Sequence, residues 1–163
     1  MKYSILKFKR NETYTMRDLE KLRGFLADKY RENTVFHNHL SDGYNYAYPK
    51  LQYKLIKNML SIMGIGEDVT EINKKLFEEI DYLNIDGNLI FDIQKEIEIF
   101  DDEIEFTGDK MYEYRFVTPY LPLNDKNFSK YLKREYTLEQ AITNNILEVL
   151  KGCLLYTSPS PRD

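Results

Sequence analysis

The sequence of 163 residues contains no tryptophan, one cysteine and two histidines. The cysteine is Cys153, so residues 1–152 hold no thiol for a disulfide or a thiolate zinc site. No apolar run reaches the roughly 18 residues of a membrane-spanning helix. Lys2 and Lys7 place charges where a secretory signal would have its apolar stretch. These absences predict a protein that stays in the cytoplasm and contacts no membrane.

The composition is that of a globular protein, with 42% apolar and 31% charged residues. The length suits one domain, or one domain and the start of a second. The net charge of −4 is unevenly distributed: basic residues outnumber acidic ones two to one in residues 1–57, and acidic residues prevail five to one in 58–109. The basic N-terminal third predicts a local site for a polyanion. Chance clustering of the basic residues is the alternative explanation. We interpret the acidic stretch as a solvated face rather than a metal site.

The C-terminal segment 153–163 resembles translated sequencing-adapter read-through. It carries the single cysteine and two of the five prolines, and it follows a helical pattern that has no stop signal. We therefore treat it as an artefact and leave it out of the fold prediction. We also expect the natural protein to continue beyond Gly152.

Hydrophobic periodicity predicts an α+β protein. Strands are predicted over residues 3–9, 34–39, 46–57 and 60–65 and within 88–118, and helices over 16–31, 67–83, 125–133 and 137–151. The turn signal Asp42-Gly43 would join 34–39 and 46–57 as a hairpin. The order strand, helix, hairpin, helix, strand is that of a ferredoxin-like antiparallel sheet with two helices. Residues 1–109 would form this module, and residues 110–152 would begin a second ferredoxin-like module.

Two threonines are predicted to cap helices. Thr15 precedes Asp18 by three positions, and Thr137 precedes Gln140 by the same spacing, which is the pattern of a capping box. Gly24 lies inside the first predicted helix, where glycine costs about 1 kcal/mol relative to alanine. Its presence predicts that another segment approaches the backbone closely at that position.

The two histidines, His37 and His39, are separated by one residue. In a strand, residues two apart share a face, so both imidazoles would point one way and Phe36 towards the core. Histidine exchanges protons near neutral pH, and a pair on one face can act as base and acid in one reaction. The competing explanation is a pair of surface histidines beside a hairpin. A metal site fits poorly because no third ligand stands nearby, and we expect no metal and no cofactor.

The predicted strand 46–57 has a face that combines aromatic rings with amines. This face consists of Tyr46, Tyr48, Lys50, Gln52 and Lys54. Rings stack on unpaired bases and lysines neutralise phosphates. Antiparallel pairing would lay this face beside the histidines, and Tyr44 in the turn adds another ring. The alternative is a solvent-facing strand that Tyr and Lys keep soluble.

Three stretches resemble the N-terminal module of the CRISPR-associated endoribonucleases that process precursor CRISPR RNA. They are Leu22 to Leu26, Phe36-His37-Asn38-His39 and Tyr46 to Ile56. The best match is the subgroup in which H-N-H is followed by Y-x-Y-P-x-x-Q-Y-K. Residues 118–128 and 144–147 resemble the start of that subgroup's second module. The resemblance implies two ferredoxin-like modules of the RAMP superfamily and repeat RNA as the partner, with a homodimer or an interference complex left open.

The resemblance also implies metal-independent cleavage, in which the 2′-hydroxyl upstream of the scissile phosphate attacks and leaves a 2′,3′-cyclic phosphate and a 5′-hydroxyl. His39 and His37 would be the acid–base pair, with His39 ranked first. Tyr46 would orient a histidine or donate to the phosphate. The RNA-binding set would be Lys29, Tyr44, Tyr48, Lys50, Gln52 and Lys54.

Two features depart from the family. The glycine-rich loop near the family's C-terminus is absent, and Lys50 stands where an apolar residue is expected. A second hypothesis is that the same fold binds repeat RNA as a non-catalytic subunit of an interference complex. A third is an unrelated α+β protein whose Tyr/Lys strand is only a soluble surface.

Overall fold

The computed structural model describes residues 1–36, 39–40, 43–44, 49–103, 108, 111, 113, 115 and 120–155, and only the backbone of residues 34, 39, 40, 43, 44 and 152–155. The chain divides into two units, Met1–Ile104 and Glu105–Asp163. No helix in these described ranges is both long enough and apolar enough to cross a bilayer.

The first unit contains strands and helices along the whole of its length. In chain order they are β1 (Lys2–Lys9), α1 (Met16–Lys29), a 3-10 helix (Thr34–Phe36), β2 (His39–Leu40), β3 (Gly43–Tyr44), β4 (Leu51–Ile56), β5 (Met59–Ile65), α2 (Glu67–Glu79), β6 (Leu83–Ile85), β7 (Asn88–Ile90) and β8 (Gln94–Asp101). The second unit contains α3 (Asp125–Leu132) and α4 (Leu138–Leu155).

The first unit is built on a four-stranded antiparallel sheet with the strand order β4-β5-β1-β8. The chain follows the path β1-α1-β4-β5-α2-β8, which is the ferredoxin-like arrangement. The predicted α+β fold is therefore confirmed. The strand order makes β4 one edge of the sheet and β8 the other.

The core lies between one face of this sheet and the two helices. Fully buried side chains come from β1 (Leu6, Phe8), α1 (Leu22, Leu26), β5 (Leu60, Ile62) and α2 (Val69, Leu76). Each such side chain stabilises the fold by about 1.5–3 kcal/mol relative to an exposed one. The helices α1 and α2 therefore cover this face of the sheet.

A buried polar contact fixes α2 against the sheet. The Asn73 amide donates to the Ser4 hydroxyl at 2.9 Å and to the carbonyl of Ile62 at 3.2 Å. Gly64 makes this approach possible, since a Cβ there would lie 3.0 Å from the Asn73 amide nitrogen and from Val69. A side chain at position 64 would displace the helix.

Several predicted boundaries differ from the structure. The first helix ends at Lys29, and the second ends at Glu79 because Ile80 adopts an extended conformation. Ile80 and Leu83 are both fully buried. Their apolar side chains extend the helical spacing of α2 in the sequence, which is why the helix was predicted to run to residue 83. The last helix runs to Leu155 rather than 151.

Among the described residues, no segment approaches Gly24 closely, so that prediction is wrong for this part of the chain. The residue is exposed, and a Cβ at this position would meet no described atom within 4 Å. The Thr15 cap is confirmed, because its hydroxyl accepts from the amide of Asp18 and the Asp18 carboxylate accepts from the amide of Thr15.

In the second unit, a side-chain amide ties an extended segment to α4. The Asn145 amide donates to the Tyr120 hydroxyl at 2.8 Å and to the Pro122 carbonyl at 3.1 Å. The predicted capping box is confirmed, with the Thr137 hydroxyl accepting from the amide of Gln140. These hydrogen bonds join the two stretches, 118–128 and 144–147, on which the resemblance to a second module rests. The boundary predicted at 109/110 stays a prediction.

Candidate active site and nucleic-acid interface

His39 lies in a short ladder separate from the main sheet. β2 pairs with β3 in antiparallel register, and the Cα partners are His39 with Tyr44 and Leu40 with Gly43. The turn predicted at Asp42-Gly43 falls partly on Asp42, which lies outside the described residues. The predicted strand 46–57 is present as β4 over Leu51–Ile56.

The predicted strand 34–39 is wrong for its first three residues, which form the 3-10 helix. Asn33 explains the difference. Its side chain accepts from the amide of Val35 at 3.1 Å, and its carbonyl accepts from the amide of Phe36 at 3.1 Å. An asparagine side chain that bonds two residues ahead favours a turn over a strand. Phe36 is buried as predicted, with its ring stacked on Tyr30 at 5.1 Å.

The hairpin predicted between 34–39 and 46–57 is also wrong for the described residues. β4 pairs instead with β5, through a two-residue turn at Lys57 and Asn58. Both turn residues have positive φ, at 50° and 60°, as a type I′ turn requires. Residues Leu51–Ile56 of the predicted strand 46–57 therefore join the main sheet as an edge strand, and residues 46–48 lie outside the described residues.

Within β4, the predicted alternation is confirmed. Leu51 and Tyr53 pack towards the core, whereas Gln52 and Lys54 belong to the opposite face of the sheet. The Gln52 amide donates to the Pro49 carbonyl at 3.2 Å. Lys54 is exposed, and within the described ranges it has no carboxylate at ion-pair distance.

Charge is distributed unequally over the sheet face that carries Gln52 and Lys54. On β1, Lys7 and Lys9 are ion-paired across the ladder with Glu98 and Glu96 of β8. The positive charge of Lys54, at the other edge, has no such neutralising partner in the described part of the chain. The β4 side of this face is therefore the side that favours a phosphate.

Two predicted RNA-binding lysines have local partners. Lys50 forms an exposed ion pair with Asp68 at 3.4 Å. The Lys29 ammonium lies over three aromatic rings, with centroids at 5.3 Å for Tyr82, 5.8 Å for Phe25 and 5.9 Å for Tyr30. Cation–π contacts of this kind position an ammonium without neutralising its charge. Both lysines are therefore held by neighbours from their own unit.

The remaining predicted residues lie outside the described set. Nothing is described of His37, Tyr46 and Tyr48, and for His39 and Tyr44 only the backbone is described. Among the side chains that are described, no three His, Cys, Asp or Glu residues converge as metal ligands would.

Sequence reasoning did not select Arg23 or the hydroxyl of Tyr53. Arg23 and Tyr53 lie within the Leu22 to Leu26 and Tyr46 to Ile56 stretches of the resemblance, which gave neither residue a role of its own. In the structure, Tyr53 packs against the core and its hydroxyl is buried. Burial raises the Tyr53 pKa, and the positive charge of the nearby Arg23 lowers it by a smaller amount. The alternation of side chains along β4 predicts on which face of the strand Tyr53 lies. It does not predict that Arg23 of α1 lies near it.

The chain matches one protein family, described as the Cas6b N-terminal domain, over residues 1–103. No curated protein sequence matches the chain.

Solved structures are also similar to the chain. A crystal structure of Cas6b matches with a TM-score of 0.75 and 29% sequence identity, over 100% of this chain and 76% of that chain. A crystal structure of the CRISPR RNA processing endoribonuclease Cas6b matches with a TM-score of 0.56 and 26% identity, over 93% of this chain and 69% of that one. The similarity therefore extends beyond the ferredoxin-like unit.

Proposed function

This chain belongs to the Cas6b family, and we propose on that basis that it is an endoribonuclease that cleaves repeat RNA in precursor CRISPR transcripts. The observation that carries the proposal is the extent of the family match. Residues 1–103 include both histidines of the chain and the whole Tyr/Lys segment. We further propose that it belongs to the subgroup marked by His37-Asn38-His39 and Y-x-Y-P-x-x-Q-Y-K.

The proposed chemistry needs no metal ion. One imidazole takes the proton of the 2′-hydroxyl, whose oxygen then forms a bond to the adjacent phosphorus. The bond from phosphorus to the 5′-oxygen breaks, and the second imidazole gives that oxygen a proton. The products are a 2′,3′-cyclic phosphate and a 5′-hydroxyl. General acid–base catalysis of this kind contributes about 10²–10⁴-fold to the rate. His39 and His37 share the two roles, and Tyr46 orients a histidine or donates to the phosphate.

The RNA backbone is held by side chains of the same region. Lys54 is the exposed lysine of β4 without a carboxylate partner in the described ranges, which supports a phosphate contact. Lys50 can exchange its exposed pair with Asp68 for a phosphate, because such a pair contributes only about 0–1 kcal/mol. Lys29 keeps its positive charge while the aromatic rings restrict its position. Tyr44, Tyr48 and Gln52 supply stacking and hydrogen bonds to bases.

The wider assembly follows the family. Residues 1–109 are the catalytic module, residues 110–152 begin the second module, and residues 153–163 are foreign sequence. The protein acts in the cytoplasm, as a homodimer or within an interference complex.

The test is cleavage of a labelled CRISPR repeat RNA in buffer with EDTA. We expect a single cut whose downstream product accepts phosphate from polynucleotide kinase directly, as a 5′-hydroxyl does. His39→Ala is expected to lower the single-turnover rate by about 10²-fold or more with little change in RNA affinity.

The matched control is a substrate that lacks the 2′-hydroxyl at the cleavage position. It should bind normally and stay intact, because the nucleophile is missing. Binding without any product in the ribose substrate would favour the non-catalytic subunit, which is the second hypothesis. Cleavage that needs magnesium would contradict the proposed mechanism.

A further inference from the structure

One side of α3 carries three lysines. Lys126, Lys130 and Lys133 follow one another at intervals of four and three positions, and Lys133 caps the C-terminal end of the helix. Because successive residues of a helix are rotated by about 100°, these intervals place the three side chains within about 60° of one another. All three residues are exposed. We call this surface the lysine face.

The large apolar side chains of α3 lie on its opposite side. By the same rotation, Phe128, Tyr131 and Leu132 are turned away from the lysine face. An amphipathic helix packs through its apolar side and keeps its charged side in solvent. The lysine face is therefore the side of α3 that a dissolved ligand can reach.

The lysine face is not neutralised within the described part of the chain. None of its three ammonium groups has a carboxylate at ion-pair distance among the described residues. Lysines of the other three helices are held by acidic partners, in the pairs Lys21–Asp86 on α1, Lys74–Glu71 on α2 and Lys151–Glu148 on α4. The positive charge of the lysine face is therefore available to an anion.

Helix stability does not account for Lys126. This residue lies in the first turn of α3, where the helix dipole disfavours a positive charge. It also lies four residues before Lys130, a spacing at which like charges repel each other. Lys130 and Lys133 suit the dipole, because they lie at the C-terminal end. An anion bound along the face would offset the repulsion and give Lys126 a partner.

We propose that the lysine face of α3 binds the phosphate backbone of the repeat RNA, as a contact that the second unit makes with the substrate. Residues 126 and 133 are about 10 Å apart along the helix axis, so the three ammonium groups can contact successive phosphates of one strand. Contacts of this kind position the RNA and do not read its bases.

The inference rests on the proposed function in one respect: it takes the anion to be the RNA that the enzyme cleaves. It adds a binding surface outside residues 1–103, the part of the chain that the family model matches. It also assigns a role to residues that lie outside the proposed RNA-binding set of the first unit.

The experiment measures the affinity of the full chain by fluorescence anisotropy, using the non-cleavable repeat RNA that lacks the 2′-hydroxyl at the cut site. The triple variant combines Lys126→Gln, Lys130→Gln and Lys133→Gln, because glutamine removes the charge and keeps a similar helix propensity. In about 0.1 M salt its affinity should be about tenfold to a hundredfold lower. The slope of log affinity against log salt concentration should fall in magnitude by about 2, since each phosphate contact contributes about 0.7–0.9. An unchanged affinity and slope would overturn the inference.

A single substitution separates binding from folding. Lys126→Gln is expected to weaken RNA binding about threefold to tenfold. Its urea unfolding midpoint should stay the same or rise, because the substitution removes an unfavourable charge from the first turn of the helix. A loss of affinity together with a lower midpoint would mean that Lys126 serves the fold, and would overturn its role in binding.

The matched control removes the same number of charges from lysines that already have acidic partners. It combines Lys21→Gln, Lys74→Gln and Lys151→Gln, one on each of the other helices. Both triple variants have the same net charge. The control should bind RNA within about threefold of the wild type, because charges more than about 10 Å from the RNA are largely screened at this salt concentration. Equal losses in the two triple variants would mean that only net charge matters, and would overturn the lysine face.

A series of RNAs locates the contact, each with three successive phosphates replaced by uncharged methylphosphonates. The penalty of the lysine-face variant should shrink for one block and persist for the others, because both changes then remove the same ion pairs. A penalty that persists for every block would overturn the inference. So would a change in oligomeric state on size-exclusion chromatography with RNA affinity intact, since the face would then bind a second copy of the chain.

These outcomes are distinct from a failure of the proposed function. Wild-type cleavage with no effect of the three substitutions on affinity would overturn the lysine face and leave the nuclease proposal standing. Binding that depends on the lysine face, without cleavage of the ribose substrate, would support the face and contradict the nuclease activity. No RNA binding by the wild-type protein would overturn both.

Discussion

His39 and Tyr44 are Cα partners across the short ladder of β2 and β3. This pairing fixes the backbone of the histidine that we propose as the main acid–base group relative to an aromatic residue of the proposed RNA-binding set. The ladder has only two residue pairs, and it is separate from the four-stranded sheet. The backbones of His39 and Tyr44 are therefore paired in a local two-stranded ladder and not in the four-stranded sheet.

Tyr44 is expected to contribute through its ring. Tyr44→Ala should weaken RNA binding by about 1–3 kcal/mol, the range for stacking one base on one aromatic ring. Tyr44→Phe keeps the ring and should bind RNA within about twofold of the wild type. Anisotropy with the non-cleavable RNA measures both variants. Equal losses for Ala and Phe would show that the hydroxyl, not the ring, makes the contact.

Asn73 is expected to be among the most important polar residues for stability. Asn73→Ala removes two hydrogen bonds, to Ser4 and to Ile62, from a fully buried site. The expected loss in the free energy of unfolding is about 2–3 kcal/mol, measured by urea denaturation. Lys74→Ala, at the next position of α2, removes only an exposed pair with Glu71 and should cost about 0.5 kcal/mol or less. Similar losses in the two variants would contradict the role of the buried contact.

Two glycines should respond oppositely to alanine. Gly24→Ala should raise the free energy of unfolding by about 1 kcal/mol, because the position is helical and a methyl group there meets no described atom within 4 Å. Gly64→Ala should lower it by about 1–3 kcal/mol, because its methyl group would lie 3.0 Å from Val69 and from Asn73. Urea denaturation measures both. Destabilisation by Gly24→Ala would mean that a segment outside the described residues packs there.

Tyr30 should make stability depend on pH in the alkaline range. Burial, followed by the hydrogen bond to Glu79, raises its pKa from 10.0 to about 12. Because the folded pKa exceeds the unfolded one, the stabilisation is complete below about pH 10 and is lost as the pH rises towards 12. Urea denaturation across this range should show a steeper decline for the wild type than for Tyr30→Phe. Tyr131→Phe, at an exposed position of α3, is the control and should decline like the wild type.

Local sequence determined much of the ferredoxin-like unit. The Thr15 cap and the buried stripe of α1 were predictable because capping and helical periodicity depend on residues within a few positions of each other. The two faces of β4 were predictable for the same reason, since alternation is a property of one strand. The family resemblance also rested on short stretches of sequence, and the match over residues 1–103 confirms it.

Tertiary structure decided which segments meet. β4 forms a hairpin with β5 through a type I′ turn at Lys57 and Asn58. This turn contains no glycine, so its residues carry no strong turn signal. The signal at Asp42-Gly43 led instead to a predicted hairpin between 34–39 and 46–57. The proximity of Arg23 to Tyr53 arises from packing α1 beside an edge strand. The same packing buries the Tyr53 hydroxyl, which has no hydrogen-bond partner among the described residues. Contacts between residues thirty positions apart depend on how elements pack, and no local pattern encodes that distance.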